Sequence, residues 1–467
     1  MDVIGIILSL VLLMTFAYRG FSVILIAPIF ALGAAVLSGL PIMPAYTELF
    51  MGKAVTYIKS FFPIFLLGAV FGKVMEETGL AKSIARSLIL GLGSKHAILA
   101  IILAASILTY GGVSLFVVVF AVYPFAAALF KEGNLPKRLI PASVALGAFA
   151  PTMDAIPGTP QIQNLIPTSF FGTNAYAAPI AGLLGSVVIY TLGVWYLNHR
   201  LHKAVAAGEG YGDHTLNEPE MREEEYLPAW YLSVLPLISV LVVNYALTQY
   251  FVWDPNILAA FKANTKLPLV AASVKNVASI WSLIIALVVG ITLAIIVGRR
   301  SLNTIPKFTK AINAGAIGSL LAIMNTASEV GYGNVIASLD GFKHISSALL
   351  GIQLGGNPLM SEAISVTTLA GITGSASGGL SIALDLMAQD WLAWANSIGM
   401  SPEILHRVAS MASGGMDTLP HNGAVITLLA VCGLTHRDSY GDIFAITLIK
   451  TGTVFLVILF YTLTGIY

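Results

Sequence analysis

Ser413-Gly414-Gly415-Met416-Asp417-Thr418-Leu419-Pro420-His421-Asn422-Gly423 sets an acid, an imidazole, an amide and helix breakers into a segment flanked by apolar helix. The first half of the chain carries a counterpart. Met153-Asp154-Ala155-Ile156-Pro157-Gly158-Thr159 repeats the pattern Met-Asp-x-(Ile or Leu)-Pro, again at the end of an apolar run. A soluble enzyme rarely needs such an arrangement twice. A membrane protein built from an inverted repeat does, because broken helices from both halves meet near the bilayer midplane.

Composition agrees with a bilayer. Of the 467 residues 57% are hydrophobic and 10% charged, against roughly 25% charged in ordinary soluble domains. Several apolar runs approach or reach the roughly 20 residues that a helix needs to cross the hydrocarbon core. The alternating pattern of an outer-membrane barrel is absent, which predicts an all-α polytopic membrane protein. Cys432 is the single cysteine, so no disulfide, thiolate metal site or other metal centre is expected, and no cofactor is called for. A net charge of +1 argues against a nucleic-acid partner. Met1-Asp2 followed by Val3 to Ala17 lacks a basic n-region and a small-residue cleavage site, and reads as a retained first helix.

Taken in order, the first half offers spans at Val3 to Ala17, Phe21 to Gly39 and Val55 to Met75, then an amphipathic stretch from Leu80 to Leu92. The apolar run from His96 to Leu129 is too long for one crossing and has Thr109-Tyr110-Gly111-Gly112-Val113-Ser114 at its middle. It reads as a re-entrant hairpin, whose exposed backbone must be buried in protein or face a wet cavity. Leu139 to Ala150, a break from Pro151 to Asn164, and a span from Ala178 to Leu197 follow. The polar stretch from His199 to Pro228, with Glu223-Glu224-Glu225, reads as a solvated linker. Spans in the second half are Tyr231 to Phe251, Ile280 to Val297 and Ala311 to Met324, followed by irregular backbone around Glu329 to Asn334. A second hairpin, Pro358 to Ala395, has Gly374-Ser375-Ala376-Ser377-Gly378-Gly379-Leu380-Ser381 at its middle; a broken helix from Glu403 to Leu434 and a span from Ile443 to Thr464 close the chain.

Three matches in the same order support a repeat. Glu77-Thr78-Gly79 pairs with Glu329-Val330-Gly331, Gly111-Gly112-Val113-Ser114 with Gly378-Gly379-Leu380-Ser381, and the two Met-Asp motifs with each other. The organisation expected is residues 1–203 as first repeat, 204–228 as connector and 229–467 as second repeat, each repeat having five transmembrane helices and one re-entrant hairpin. Five is odd, so the second repeat must be inverted. The positive-inside rule then gathers Arg19, Lys82, Arg86, Lys95, Lys131, Lys137, Arg138, Arg200, Lys203, Arg299, Arg300, Lys307, Lys310 and Arg437 on the cytoplasmic side. Lys53, Lys262, Lys266, Lys275 and Lys343 are the exceptions, and both termini come out extracytoplasmic.

No Lys or Arg occurs from 139 to 199 or from 344 to 406, so an anionic substrate is expected to meet hydrogen-bond donors before fixed cations. These are half-helix N-termini and the substrate-binding set Thr109, Tyr110, Gly111, Gly112, Ser114, Thr159, Ser375, Ser377, Gly378, Gly379, Ser381, Ser413, Thr418, His421 and Asn422. Such a site suits a small mono-anion with its own hydroxyl. Ionisable residues at bilayer depth are functional hypotheses by default, and proton coupling is assigned first to Asp417 with His421, then to Glu329 and Asp154. Plainer roles compete: Asp154 and Asp417 as caps of the half-helices that follow, His421 as a structural histidine, Glu329 at a water-exposed helix end, and the hairpin glycines as packing residues. Asp385, Asp390, His406 and Arg407 are expected near the interface.

At Gly374-Ser375-Ala376, Ser413 to Asn422 and Pro151 to Pro160 the sequence resembles the gluconate permease (GntP) family of the ion transporter superfamily, in particular its 3-hydroxybutyrate permease branch. The resemblance implies proton symport of small hydroxy-monocarboxylates across the bacterial inner membrane by a homodimer with scaffold and transport domains and elevator-like alternating access. Met153-Asp154-Ala155 and Tyr110-Gly111-Gly112 depart from the gluconate-type pattern, which favours 3-hydroxybutyrate over gluconate. A sodium-coupled carboxylate symporter and an intramembrane enzyme with Asp417 and His421 as acid and base are the alternatives; the repeat argues against the enzyme.

Overall fold

A computed structural model describes residues 2–19, 21–218, 227–265, 271, 273–302, 304–352, 356–420 and 422–467. His421, Lys266 and the acidic run at 223–225 lie outside them. The described residues are helical throughout, with no strand.

The chain begins with the antiparallel pair α1 (Asp2–Tyr18) and α2 (Val23–Leu37). Next, α3 (Ile42–Pro44), a π-helical turn (Ala45–Phe50) and α4 (Met51–Glu77) run on as one 36-residue helix. The amphipathic α5 (Leu80–Leu92) starts at Gly79, which adopts φ +74°, a left-handed geometry that costs glycine little. It meets the following helix at a bend of 100°. The first hairpin is α6 (Ala97–Tyr110) and α7 (Leu115–Glu132). After it come α8 (Leu139–Ala148), the single turn α9 (Pro151–Asp154), α10 (Ile162–Phe171) and the long α11 (Pro179–Ala206).

The same order then recurs. The short α12 (Trp230–Ser233) leads into α13 (Leu235–Gln249), and after α14 (Ile257–Thr265) come α15 (Ala278–Val297) and the 33-residue α16 (Ile305–Ala337). An amphipathic α17 (Asp340–Leu350), the hairpin of α18 (Leu359–Thr373) and α19 (Ala376–Ser397), the broken pair α20 (Pro402–Ser413) and α21 (Gly423–Val431), and the long α22 (His436–Thr464) follow. Contacts recur as well: α2 packs on α16 as α15 packs on α4, α8 on α22 as α20 on α11, and α7 on α21 as α19 on α10.

Among the described residues, six helices are long and apolar enough to cross a membrane, or seven if the bent pair is one span. Val3–Phe16, Val23–Leu37, Leu139–Asp154 and Leu359–Thr373 are shorter apolar helices. The entering arms of the hairpins have 14 and 15 residues. At about 1.5 Å per residue they fall short of a hydrocarbon core of roughly 30 Å.

The long helices α4 and α16 lie along one another, and lipid supplies no hydrophobic drive between them, so close backbone approach carries the contact. A Cβ at Gly315 would come 2.7 Å from Val70 Cα, and one at Gly331 2.8 Å from the Phe50 carbonyl. These contacts correct the expectation of irregular backbone at Glu329 to Asn334. Helix α16 runs unbroken through that stretch, because Gly331 and Gly333 serve close packing, the latter against Ile382.

The described part of the connector, residues 207–218, is mostly exposed but not free. Arg138 donates two bonds to Glu209, at 2.6 and 3.0 Å, and one at 2.8 Å to Asp442, which also accepts from Arg200 and Tyr196. Lys137 pairs with Glu218 at 2.6 Å, and Asn217 donates to the Ala430 carbonyl. Residues 207–218 are thus strapped across the base of the first hairpin and the end of α21. The Arg138 bonds hold the Glu209 carboxyl below its usual range.

Candidate functional site

Both hairpin tips turn on glycine. In the first, Gly112 takes φ +93°, and a Cβ at Gly111 would overlap Leu237. The tip docks on the first helix break: the Tyr110 hydroxyl donates to the Pro157 carbonyl at 2.9 Å, and Gln161 Nε2 donates to the Thr109 carbonyl at 2.8 Å. Thr109 Oγ1 is buried without a partner, Ser114 precedes α7, and Thr159 bonds inward to the Thr152 carbonyl.

The second tip turns at Gly374, φ +67°, and Ser375 caps α19 by accepting from the Gly378 N–H at 3.1 Å. Gly379 lets the two arms cross, since its Cβ would overlap Ala370. Glu329 reaches this tip from α16. Its carboxylate lies where a Cβ of Gly378 would stand and close to Ser375, and Tyr57 approaches it together with Thr326 and Ser381. Ser377 bonds to Thr326 at 3.3 Å, and Ser381 donates to the Ser377 carbonyl. Glu329 is 3% exposed and its Oε2 has no hydrogen-bond partner, which removes the water-exposed reading of that residue.

The two helix breaks meet each other. Arg407, on α20, is completely buried. It donates to the carbonyls of Asp154, Ala175 and Ala177 and to Asn164 Oδ1, at 2.8 to 3.4 Å. Ser410 adds a bond to the Asp154 carbonyl at 2.7 Å, and the equally buried His406 bonds Thr173 and Asn164. The placement of His406 and Arg407 near an interface is therefore corrected. They face inward because α20 presents them to loop carbonyls that water cannot reach.

Lys450, the middle residue of α22, crosses to the second break and pairs with Asp417 at 2.9 Å, both side chains being buried. Its ammonium also donates to the Phe149 carbonyl. The Asp154 carboxylate lies close to Lys450, Asp417 and Arg407, where a Cβ of Gly414 would stand, and its Oδ2 has no partner. Neither aspartate caps a half-helix. Asn422 caps α21, accepting from Ala424 at 2.6 Å and Val425 at 3.2 Å, and its Nδ2 donates to the Gly374 carbonyl at 2.7 Å. Ser413 bonds back to Ser410, and Thr418 bonds Thr447.

The predicted residues thus fall into three groups: Thr109 to Ser114 with Thr159 at the first tip and break, Ser375 to Ser381 with Glu329 at the second tip, and Asp154, Asp417, Ser413, Thr418 and Asn422 at the breaks. Lys450 and Arg407 bring cations to the breaks from outside the lysine- and arginine-free stretches, beside the hydrogen-bond donors expected there. An ionisable residue inside an apolar span is itself a signal, and Lys450 satisfies it within Ile443 to Thr464. Glu362, buried in the first turn of α18 with neither oxygen partnered, was open to the same reading. Among the described residues no group of three His, Cys, Asp or Glu side chains is placed to hold a metal ion.

Such an arrangement sets buried charges where two broken helices meet. It fits what the chain resembles. In solved structures, the YdaH transporter of Alcanivorax borkumensis superposes with a TM-score of 0.55 at 16% identity, over 91% of this chain and 89% of that one. MtrF of Neisseria gonorrhoeae, from a structural study of a class of antimetabolite efflux pumps, gives 0.54 at 16% identity over 89% and 83%. At that identity the likeness shows the fold alone. In sequence, the uncharacterized transporter YxjC of Bacillus subtilis (strain 168) is 52% identical over 476 residues, spanning the whole of both chains. The family described as GntP family permease matches residues 1–416, and the protein belongs to it, as a multi-pass membrane transporter.

Proposed function

We propose that the protein is a proton-coupled symporter importing a small hydroxy-monocarboxylate, 3-hydroxybutyrate in preference to gluconate, across the bacterial inner membrane. The observation that carries the reading is the buried meeting of Asp154, Asp417 and Lys450 at the two helix breaks. Acids and an ammonium at bilayer depth are costly and are retained where charge must pass. Residues 1–203 and 229–467 form inverted repeats joined by 204–228, and both termini are extracytoplasmic. The hairpins, broken helices, α11 and α22 form the transport domain. It moves elevator-fashion against a scaffold of α1, α2, α4, α13, α15 and α16, in a homodimer.

Asp417, Glu329 and Asp154, with His421, are the coupling groups. The substrate site lies between the hairpin tips and the breaks. A second reading has its own observation: Glu329 with Tyr57, Thr326, Ser377 and Ser381 is a set of hard oxygen donors that suits a sodium ion. Uptake of labelled (R)-3-hydroxybutyrate into proteoliposomes, with an inward proton gradient, no sodium, and gluconate as competitor, separates the cases. Concentrative uptake that resists gluconate supports the proposal. Uptake that requires sodium transfers coupling to the Glu329 centre, and proton-driven uptake of gluconate alone overturns the substrate assignment.

A further inference from the structure

We infer that Lys450 is the counter-ion that the substrate's carboxylate takes over from Asp417, and that this exchange forces Asp417 to take up the coupled proton. The inference rests on the symport reading above. Lys450 is the central residue of the 29-residue α22, with roughly 21 Å of helix on either side of it. An ammonium at that depth needs an anion, and Asp417 supplies it at 2.9 Å. Two of its three N–H donors are committed, to Asp417 and to the Phe149 carbonyl, which leaves one for a further acceptor.

A carboxylate that binds Lys450 leaves Asp417 as a buried anion without its partner, and a buried charge so stranded is strongly disfavoured. Protonation of Asp417 resolves it: one anion and one proton enter together and the buried charge is unchanged. On the far side the proton leaves as Asp417 reclaims the ammonium and expels the substrate. No covalent bond beyond the O–H of Asp417 is made or broken.

Among the described residues, Asp154 from α9 faces the pair, and Arg407 from α20 lies toward Asp154. Tyr440 of α22 donates to the Thr418 carbonyl. Tyr190 of α11, bonded to Ser106, lies toward Asp154, and His421 lies outside the described residues. Arg407 is occupied by carbonyls and Asn164, which leaves Lys450 as the cation able to change partners.

The test is binding of acetate, 3-hydroxybutyrate and gluconate to purified protein, read by thermal shift across neutral pH in wild type, Asp417→Asn, Lys450→Gln and the double variant. Wild-type affinity for the carboxylate that binds best should rise with acidity, by up to about tenfold per pH unit for one linked proton. Asp417→Asn should bind with no pH dependence. Lys450→Gln should lose affinity by about a hundredfold, or 2.7 kcal/mol. If a single unpaired charge prevents folding, the double variant, which removes both partners, restores it and should bind weakly at every pH. Wild-type pH dependence that persists in Asp417→Asn or in the double variant, or full affinity in Lys450→Gln, overturns the exchange while leaving symport standing. Failure of every carboxylate to bind wild type at any pH overturns both.

Discussion

The two helix breaks answer the same backbone problem in opposite ways. Each interrupts a helix inside a bilayer, where freed carbonyls and N–H groups find no water. In the first, from Ala150 to Gln161, the loop is saturated from outside. Arg407 and Ser410 both bind the Asp154 carbonyl, Asn164 bonds Thr159 and Ala175, and Tyr110 bonds Pro157. In the second, from Gly414 to Asn422, the described residues are held by the Lys450–Asp417 ion pair, the Asn422 cap and its bond to the Gly374 carbonyl, the bonds of Thr447 and Tyr440 to Thr418, and His436 on the Pro420 carbonyl. The first break is an anchor whose neutral carbonyl ligands stay satisfied whatever the charge state. The second is tied through Lys450, and that tie depends on whether Asp417 is ionised.

That contrast can be broken at three places. The largest effect is expected at Arg407. Arg407→Ala leaves several buried carbonyls unsatisfied, at about 1 to 3 kcal/mol each, so folded protein in the membrane should be lost, as size-exclusion profiles would report. Arg407→Lys should rescue little, because three donors replace a planar fork of five. Wild-type yield from Arg407→Ala would show that the first break is not anchored as described.

Gly414→Ala sharpens the comparison where the breaks touch. The added Cβ falls on the Asp154 carboxylate and stands 2.8 Å from its Cγ. Folding should survive, because the nearest atoms end one side chain, while transport falls by at least about tenfold, equivalent to 1.4 kcal/mol. Normal proton-driven uptake would remove Asp154 from the working cluster.

Asn422 gives the smallest effect. Loss of an Asn cap costs about 0.5 to 2 kcal/mol, and Asn422→Ala should lower the Tm accordingly. Asn422→Asp keeps the cap acceptor but loses the donor to Gly374, so its own loss of Tm measures the tie between second break and second hairpin, and the difference between the variants isolates the cap. Equal Tm values for both variants would mean that the hairpin tie, not the cap, carries the stability.

Much of this architecture was legible in the chain. Gly111-Gly112 and Gly374 mark the hairpin tips and the Met-Asp motifs mark the breaks because both are local events, dictated by residues that end a helix. The error at Glu329 to Asn334 has the opposite cause. Gly331 and Gly333 are read by Phe50 and Ile382, from distant parts of the sequence, and a glycine that admits a neighbour looks the same in a sequence as one that ends a helix.

The site was read in the same partial way. Asp154, Asp417 and Asn422 stood out within their motifs, but the cations that complete the cluster are tertiary. Arg407 comes from the helix ahead of the second break and reaches the first, and Lys450 comes from the next long helix. The connector's ties are tertiary for a similar reason: residues 207–218 are mostly exposed, as their polar composition predicts, yet Glu209 and Glu218 have partners in Arg138 and Lys137.

The most direct test of the central claim is internal pH in proteoliposomes loaded with a pH-sensitive dye, followed after external 3-hydroxybutyrate is added in sodium-free buffer. The account predicts acidification that tracks labelled substrate entry and disappears in Asp417→Asn. Substrate entry with no proton movement, or only when sodium is present, would contradict it.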